Sequence, residues 1–177
     1  MRALADATRI REFLKALGAQ AEGSTRVYLT GGATAVLLGW RATTLDVDLK
    51  IVPDSDRMLS AIPRLKEALQ INVELASPDG FIPEVPGWEA RSPLIIQEGQ
   101  VSFHHYDFYA QALSKLERGH DQDIGDAKEM VRRGLVRPAQ LLKYFEQIES
   151  RLYRYPSIDA PSFRRAVEEF VRSSAQE

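Results

Sequence analysis

Hydrophobic positions at the start of the chain recur at the spacing of one helix face. The recurring set is Leu4, Ile10, Phe13, Leu14 and Leu17. The pattern stops at Gly18, which favours an amphipathic helix that ends at this glycine. Val27 to Thr30 is then β-prone and ends at Gly31-Gly32, before a helical stretch from Ala33 to Trp40 that closes near Gly39. The pattern therefore predicts a helix, a strand, a glycine turn and a second helix.

The segment from Leu45 to Ile51 alternates apolar and polar residues, as a half-buried strand does. One face of the predicted strand carries Leu45, Val47, Leu49 and Ile51. Asp46 and Asp48 lie on the other face, with Cα atoms about 6–7 Å apart at the usual rise of a strand. We therefore expect the two carboxylates to stand side by side.

A third helix is predicted from Asp54 to Gln70, bent or interrupted at Pro63. Its apolar positions are Met58, Leu59, Ile62, Leu65 and Leu69. Residues 71–75 alternate again, which predicts a strand with Glu74 on its polar face. Its inward positions are Ile71, Val73 and Leu75.

Prolines and glycines between Ser77 and Pro93 predict a long irregular loop, and long loops in compact domains are often functional. The loop is therefore expected to border the active site. Leu94 to Ile96 and Gln100 to Tyr106 follow as two strands of a hairpin that turns at Glu98-Gly99.

The last third of the chain is predicted to be helical, because proline starts and glycine stops agree with helical spacing. The predicted helices are Phe108 to Arg118, Asp121 to Arg133, Pro138 to about Tyr153, and Pro161 to about Val171. Apolar stripes on the last two indicate either core packing or a dimer surface. We expect a single α/β (α+β) domain over residues 1–177, with a small mixed sheet flanked by helices. Its core would cover about residues 25–135, and the C-terminal helices about 137–173.

Composition narrows the function without naming it. The 177 residues suit one compact domain, and 23 Lys and Arg nearly balance 25 Asp and Glu, so a general nucleic-acid or membrane binder is not indicated. The absence of cysteine excludes disulfides, thiolate zinc sites and cysteine nucleophiles. No segment resembles a signal peptide or approaches the roughly 20 apolar residues of a membrane span. A soluble cytoplasmic protein is the simplest interpretation.

The candidate chemistry begins with Asp46 and Asp48, whose carboxylates are placed to share Mg²⁺ or Mn²⁺ with further ligands. Glu74 is the candidate third carboxylate, and Asp107 is the alternative. Gly31-Gly32 is placed to let backbone N–H groups approach nucleotide phosphates at the start of a helix. Each feature also has a structural interpretation, since exposed carboxylates on alternating strands and glycine pairs in tight turns are common.

Two groups of residues resemble sequence motifs of a known family. Gly31-Gly32, Arg41, Thr44 and Asp46-Val47-Asp48 resemble the GG…R…T-D-x-D signature of minimal nucleotidyltransferases. Residues 112–118 (ALSKLER) and 123–126 (DIGD) resemble the K-L-x-x-R…D-x-x-D helical motif of AbiEii-like and DUF6036-type nucleotidyltransferases. Together the resemblance covers roughly residues 25 to 135.

The resemblance implies transfer of a nucleoside monophosphate from an NTP to a hydroxyl, with a divalent metal held by the paired carboxylates. Transfer at a polyphosphate needs charge neutralisation and a deprotonated nucleophile. Asp46 and Asp48 would hold the metal, and Glu74 would complete a second metal site and accept the proton of the attacking hydroxyl. Arg41 or Lys115 would oppose the phosphate charge, and the family motif extends the nucleotide site to Thr44 and Asp123.

The acceptor stays open among RNA, a protein side chain and a small alcohol. Some members of these families are toxins or antitoxins, so the resemblance also implies a partner protein of that kind. The alternative is a catalytically inactive domain of the same fold that binds a nucleotide or a partner. A further hypothesis is an interaction protein that dimerises through the stripe from Phe163 to Phe170.

Overall fold

The computed structural model of the protein describes residues 3–176 and divides them into two compact units that are interleaved in sequence. The first unit holds residues 3–77 and 92–106, and the second holds residues 78–91 and 107–176. The second unit therefore takes a segment from the middle of the chain as well as the C-terminal region. A single domain over residues 1–177 stays a prediction.

The first unit contains the strands and three helices. Its elements are α1 (Ala7–Gly18), β1 (Thr25–Thr30), α2 (Gly32–Leu38), β2 (Val47–Val52), α3 (Asp56–Leu69), β3 (Val73–Glu74), β4 (Leu94–Glu98) and β5 (Val101–His105). Asp6 and Ser55 cap α1 and α3, each accepting a backbone N–H of the first turn. The helix α3 continues through Pro63, so the predicted interruption at that residue is wrong.

The five strands form one mixed sheet in the order β3-β2-β1-β5-β4. The strand β1 is antiparallel to β2 and parallel to β5, β3 is parallel to β2, and β4 and β5 form the predicted hairpin. The mixed sheet with flanking helices confirms the predicted fold class.

One face of the sheet packs against the helices of the first unit and forms its core. Alternate residues of β1, β2 and β5 supply this face, among them Val27, Leu29, Leu49 and Phe103. The helix α1 adds a stripe that includes Phe13, and α3 adds a stripe that includes Met58. The opposite face of the sheet carries the residues that alternate with these core residues along each strand.

Three leucines that the pattern assigned to apolar faces are exposed. Leu4 precedes α1 and is 52% exposed, because the helix begins only after Asp6. Leu45 precedes β2 and is 68% exposed, and Leu75 follows β3 and is 62% exposed. Alternation continues beyond the ends of both strands in the sequence, but the sheet pairing does not, so the predicted inward positions of these leucines are wrong.

The second unit is mainly helical. Its elements are a 3-10 turn (Pro78–Gly80), α4 (Phe108–Arg118), α5 (Asp121–Arg132), α6 (Pro138–Glu149), a second 3-10 turn (Leu152–Arg154) and α7 (Ala160–Ser174). The helices α6 and α7 pack together, and the rings of Phe145 and Phe163 meet edge to face at 4.9 Å between centroids. The stripes of these helices are therefore core, as one of the two alternatives predicted.

The segment 78–91 of the second unit is packed. Ile82, Val85 and Trp88 are each at most 4% exposed, so Trp88 is a packing residue rather than a platform for a base. No helix within residues 3–176 combines the length and the apolar character that crossing a bilayer requires.

Candidate functional site

The turn between β1 and α2 has a backbone that only glycine adopts easily. Gly31 has φ +63° and ψ −131°, a combination that strains any residue with a side chain. A β-carbon on Gly31 would also lie 3.2 Å from Oδ2 of Asp48, so the Asp48 carboxylate points at the turn. The turn and the second aspartate of the pair are therefore adjacent.

Gly32 is required by close packing. A β-carbon on Gly32 would lie 2.0 Å from Oγ1 of Thr44 and 3.1 Å from Nη1 of Arg41. The Thr44 hydroxyl donates to the backbone carbonyl of Asp46 at 3.0 Å, and the Thr44 backbone pairs with Ala5 through two bonds of 2.9 Å. The structure thus brings the predicted residues Gly32, Arg41 and Thr44 together at one turn.

Asp46 and Asp48 flank the start of β2. Val47 and Leu49 are buried in the core, and both aspartates and Lys50 are half-buried on the alternate positions. Asp48 lies opposite Thr30 of β1 in the antiparallel ladder. Asp46, Asp48 and Lys50 thus alternate with buried residues, and the side-by-side placement of the two carboxylates stays a prediction.

Asn72, which the sequence analysis did not single out, holds the carboxylate of Asp46. Its side-chain amide donates a short hydrogen bond to Oδ1 of Asp46, and its backbone carbonyl accepts the N–H of Val47 at 2.9 Å. Asn72 therefore fixes Asp46 through both its side chain and the backbone of the adjacent residue. An asparagine before a short strand gives no signal in sequence, because its partner is 26 residues away.

Glu74 is the cross-strand neighbour of Asp48. The two residues are register partners in the parallel pair of β2 and β3, so their side chains emerge on the same face. Glu74 is exposed. Among residues 3–176, however, no three His, Asp or Glu side chains gather closely enough to hold a metal ion by themselves.

His104 and His105 are consecutive in β5 and point to opposite faces of the sheet. His105 is buried, and its Nδ1 lies 3.0 Å from Oγ1 of Thr34. Burial lowers the pKa of His105 to about 4. His104 is half-buried on the other face, where it contacts the Ser92 carbonyl and the ring of Tyr28.

In the second unit, the predicted residues Lys115 and Asp123 belong to a buried ion-pair cluster between α4 and α5. The Lys115 ammonium lies 2.8 Å from Asp126 and 3.7 Å from Asp123, and Arg118 binds Asp123 at 2.6 Å. Lys115 is only 4% exposed. Lys115, Arg118, Asp123 and Asp126 thus join two helices, and contact of Lys115 or Asp123 with a nucleotide stays a prediction.

Asp107, the alternative third carboxylate, is engaged within the second unit. Its side chain caps α4 by accepting the N–H of Tyr109, and its other oxygen accepts from Arg91 at 2.7 Å. The Arg91 guanidinium also stacks on Tyr144, 4.1 Å from the ring centroid. These contacts favour a structural role for Asp107, which ties the segment 78–91 to α4 and α6.

The first strand of the mixed sheet ends at the Gly31-Gly32 turn, and Asp46 and Asp48 flank the start of the neighbouring strand. The family model described as "Nucleotidyltransferase of unknown function (DUF6036)" matches residues 6–173. The chain therefore belongs to this family. Comparison with curated proteins and with solved structures found no match.

Proposed function

We propose that the protein is a metal-dependent nucleotidyltransferase that moves a nucleoside monophosphate from an NTP to a hydroxyl acceptor. The observation that carries the proposal is the convergence of the signature residues in the first unit. Gly32 packs against Thr44 and Arg41, and Gly31 packs against the carboxylate of Asp48. The conformation of the turn and the position of the second aspartate thus depend on each other.

In the proposed reaction the acceptor oxygen attacks the α-phosphorus of the NTP and forms the new phosphorus–oxygen bond. The bond between the α-phosphorus and the oxygen bridging to the β-phosphorus breaks, and pyrophosphate leaves. The acceptor loses its proton, and Glu74 accepts it because this exposed carboxylate stands beside Asp48 on the same face. Arg41, at the glycine turn, opposes the charge of the phosphates.

The donor set suits Mg²⁺ or Mn²⁺, because both prefer oxygen ligands. Asp46 and Asp48 would hold the ion, with Glu74 beside them, and a bound metal would neutralise charge on the phosphates. Mg²⁺ typically binds through one or two carboxylates and completes its shell with phosphate oxygens and water. Two aspartates and a nucleotide therefore fit this metal even though residues 3–176 supply no group of three such side chains.

Calorimetry tests the proposal by titrating each of the four NTPs into the protein with and without Mg²⁺. The site requires Mg²⁺-dependent binding that Asp46→Asn and Asp48→Asn both abolish, because each removes a charge and keeps the side-chain shape. Asp121→Asn, an exposed aspartate at the start of α5, is the control with the same change of charge. NTP affinity that both site variants retain would refute the assignment.

A second function is favoured by one observation, the lack of a preformed group of three metal-binding side chains within residues 3–176. The domain would then bind a nucleotide and signal its presence to a partner protein without turnover. Pyrophosphate release separates the two functions. Mg²⁺-dependent NTP binding with no pyrophosphate release in the presence of RNA, peptide and small-alcohol acceptors would support the binding module.

A further inference from the structure

The two sides of the Gly31-Gly32 turn are joined by the hydroxyl of Thr34. Thr34 lies in the first turn of α2, and its Oγ1 donates to the backbone carbonyl of Leu29 at 3.4 Å. Leu29 lies near the end of β1, so this hydrogen bond connects the strand before the turn to the helix after it. The same carbonyl accepts the N–H of Tyr106 at 2.7 Å, which fixes it to the chain that leaves β5.

His105 is the second partner of the Thr34 hydroxyl. Its Nδ1 lies 3.0 Å from Thr34 Oγ1. His105 is also the register partner of Leu29 in the parallel pair of β1 and β5, so the imidazole reaches α2 from the neighbouring strand. Thr34 is 0% exposed and His105 is 6% exposed. Hydrogen bonds at this depth are strong, because water competes little for the groups that make them.

The chemistry of the three groups sets the direction of the two hydrogen bonds. A carbonyl oxygen only accepts, so the Thr34 hydroxyl donates its single proton to Leu29 and its oxygen accepts from His105. Burial lowers the pKa of His105 to about 4, so at neutral pH the imidazole is neutral and carries one N–H. The contact with Thr34 therefore assigns this proton to Nδ1.

The turn needs such a restraint because two consecutive glycines have unusual backbone freedom. Gly31 is held at φ +63° and ψ −131°, with Oδ2 of Asp48 3.2 Å from the position of a β-carbon. A turn that receives nucleotide phosphates binds more tightly when it is already in the bound conformation, since ordering the backbone on binding costs affinity. Closing residues 29–34 with buried hydrogen bonds removes the alternative conformations in advance.

We propose that His105 is a positioning residue of the nucleotide site. Its Nδ1–H orients the Thr34 hydroxyl, and that hydroxyl holds the Gly31-Gly32 turn in the conformation that receives the phosphates of the NTP. This proposal rests on the proposed nucleotidyltransferase function. It gives a role in nucleotide binding to two buried residues that are not among those matching the GG…R…T-D-x-D signature.

The test begins with two substitutions at Thr34. Thr34→Val keeps the shape of the side chain and removes the hydroxyl, and it is expected to lower Mg²⁺-dependent NTP affinity by about ten-fold, the equivalent of one or two hydrogen bonds. Thr34→Ser keeps the hydroxyl and is expected to bind NTP with nearly wild-type affinity. Calorimetry measures both affinities. A Thr34→Ser variant as weak as Thr34→Val would refute a role for the hydroxyl.

Thr25→Val is the matched control for a loss of stability alone. Thr25 is 7% exposed, and its hydroxyl donates to the Gly23 carbonyl at 3.1 Å at the other end of β1. The control is expected to lose stability in urea but none of its NTP affinity. Equal NTP affinity in Thr34→Val and Thr25→Val would overturn the proposal, because the effect of Thr34 would then be structural only.

Substitutions at His105 test whether it acts through Thr34. His105→Leu removes the donor and is expected to weaken NTP binding about as much as Thr34→Val, whereas His105→Asn supplies an amide N–H near the position of Nδ1 and should restore it. The double variant Thr34→Val/His105→Leu should bind no more weakly than the weaker single variant, since both changes remove the same interaction. Losses that multiply in the double variant would refute action through Thr34.

Nitrogen NMR of the His105 ring provides a readout that does not depend on nucleotide. The wild type at neutral pH is expected to carry its proton on Nδ1, and a proton on Nε2 would refute the assigned direction. If wild type binds NTP and Thr34→Val binds it equally well, the transferase stands and the positioning role is refuted. If wild type binds no NTP, the proposed function fails first, and the positioning role fails with it.

Discussion

The hydroxyl of Thr44 lies against the α-carbon of Gly32, in the space that a β-carbon at position 32 would need. The distance from that β-carbon to Thr44 Oγ1 would be 2.0 Å, and to Thr44 Cβ 2.7 Å. Both atoms belong to a residue whose backbone is fixed by its bridge to Ala5. The loop before β2 thus limits residue 32 to glycine.

Gly32→Ala is expected to destabilise the protein by about 1–3 kcal/mol or more, because Thr44 cannot move away without breaking its bridge to Ala5. Gly125→Ala is the control, since a β-carbon there meets nothing within 4 Å and the residue lies inside α5. Alanine at this second site should stabilise by about 0.5–1 kcal/mol. Urea unfolding measures both changes, and a Gly32→Ala variant as stable as wild type would contradict the packing at the turn.

Asn72→Leu is expected to weaken Mg²⁺-dependent NTP binding by about 10–100-fold, because Asp46 loses the amide that orients its carboxylate. Leucine keeps a similar size and removes the donor. Titration with Mn²⁺ alone should show the same loss, which separates metal binding from nucleotide contacts. Gln97→Leu is the control, since that amide donates to Gly99 in the exposed hairpin. An equal loss of affinity in both variants would argue against an orienting role for Asn72.

Lys115→Met is expected to cost about 3–5 kcal/mol of stability, because it leaves the buried carboxylates of Asp123 and Asp126 without the ammonium between them. Arg118→Met should cost no more than about 1 kcal/mol, since the Arg118 side chain is 43% exposed. Denaturant unfolding compares the two. A Lys115→Met variant of normal stability with reduced NTP affinity would favour the predicted contact of Lys115 with phosphate.

Acid should destabilise the protein partly through His105. Burial lowers its folded-state pKa to about 4, below the ordinary 6.5, so the unfolded chain binds the proton more readily. The contribution of His105 to stability is therefore complete above about pH 6.5 and is lost as the pH falls towards 4. Between pH 7.5 and 4.5, urea unfolding of wild type should show about 2–3 kcal/mol more loss than His105→Gln. Parallel losses would mean that His105 does not titrate in this range.

Local signals in the sequence predicted most of the elements. The bounds of α4 agree with the structure because Asp107 caps its start and Gly119, with φ +73°, ends it. The alternation along β2 was readable because the strand has a buried face. The alternation wrongly predicted that Leu45 and Leu75 lie within strands. A strand ends where its pairing with neighbouring strands ends, and the sequence of one segment does not show that pairing.

The site was predictable only in part, and the division has a physical cause. The aspartates and the glycine turn are close in sequence and carry a recognisable motif, so Asp46, Asp48, Gly31 and Gly32 could be proposed from spacing. Asn72 was missed because only folding brings it to Asp46. The motif around Lys115 could be recognised in the sequence, but the burial of Lys115 in an ion-pair cluster could not be predicted from it.

The interleaving of the two units has a consequence for synthesis on the ribosome. The segment 78–91 emerges before β4 and β5, yet two of its hydrogen bonds come from residues that follow α6: Arg151 donates to the Glu84 carbonyl, and Tyr155 to the Asp79 carbonyl. Chains emerge at about 5–20 residues per second, so the segment waits several seconds for these partners. During that interval Ile82, Val85 and Trp88, all buried in the finished protein, are open to proteases and chaperones.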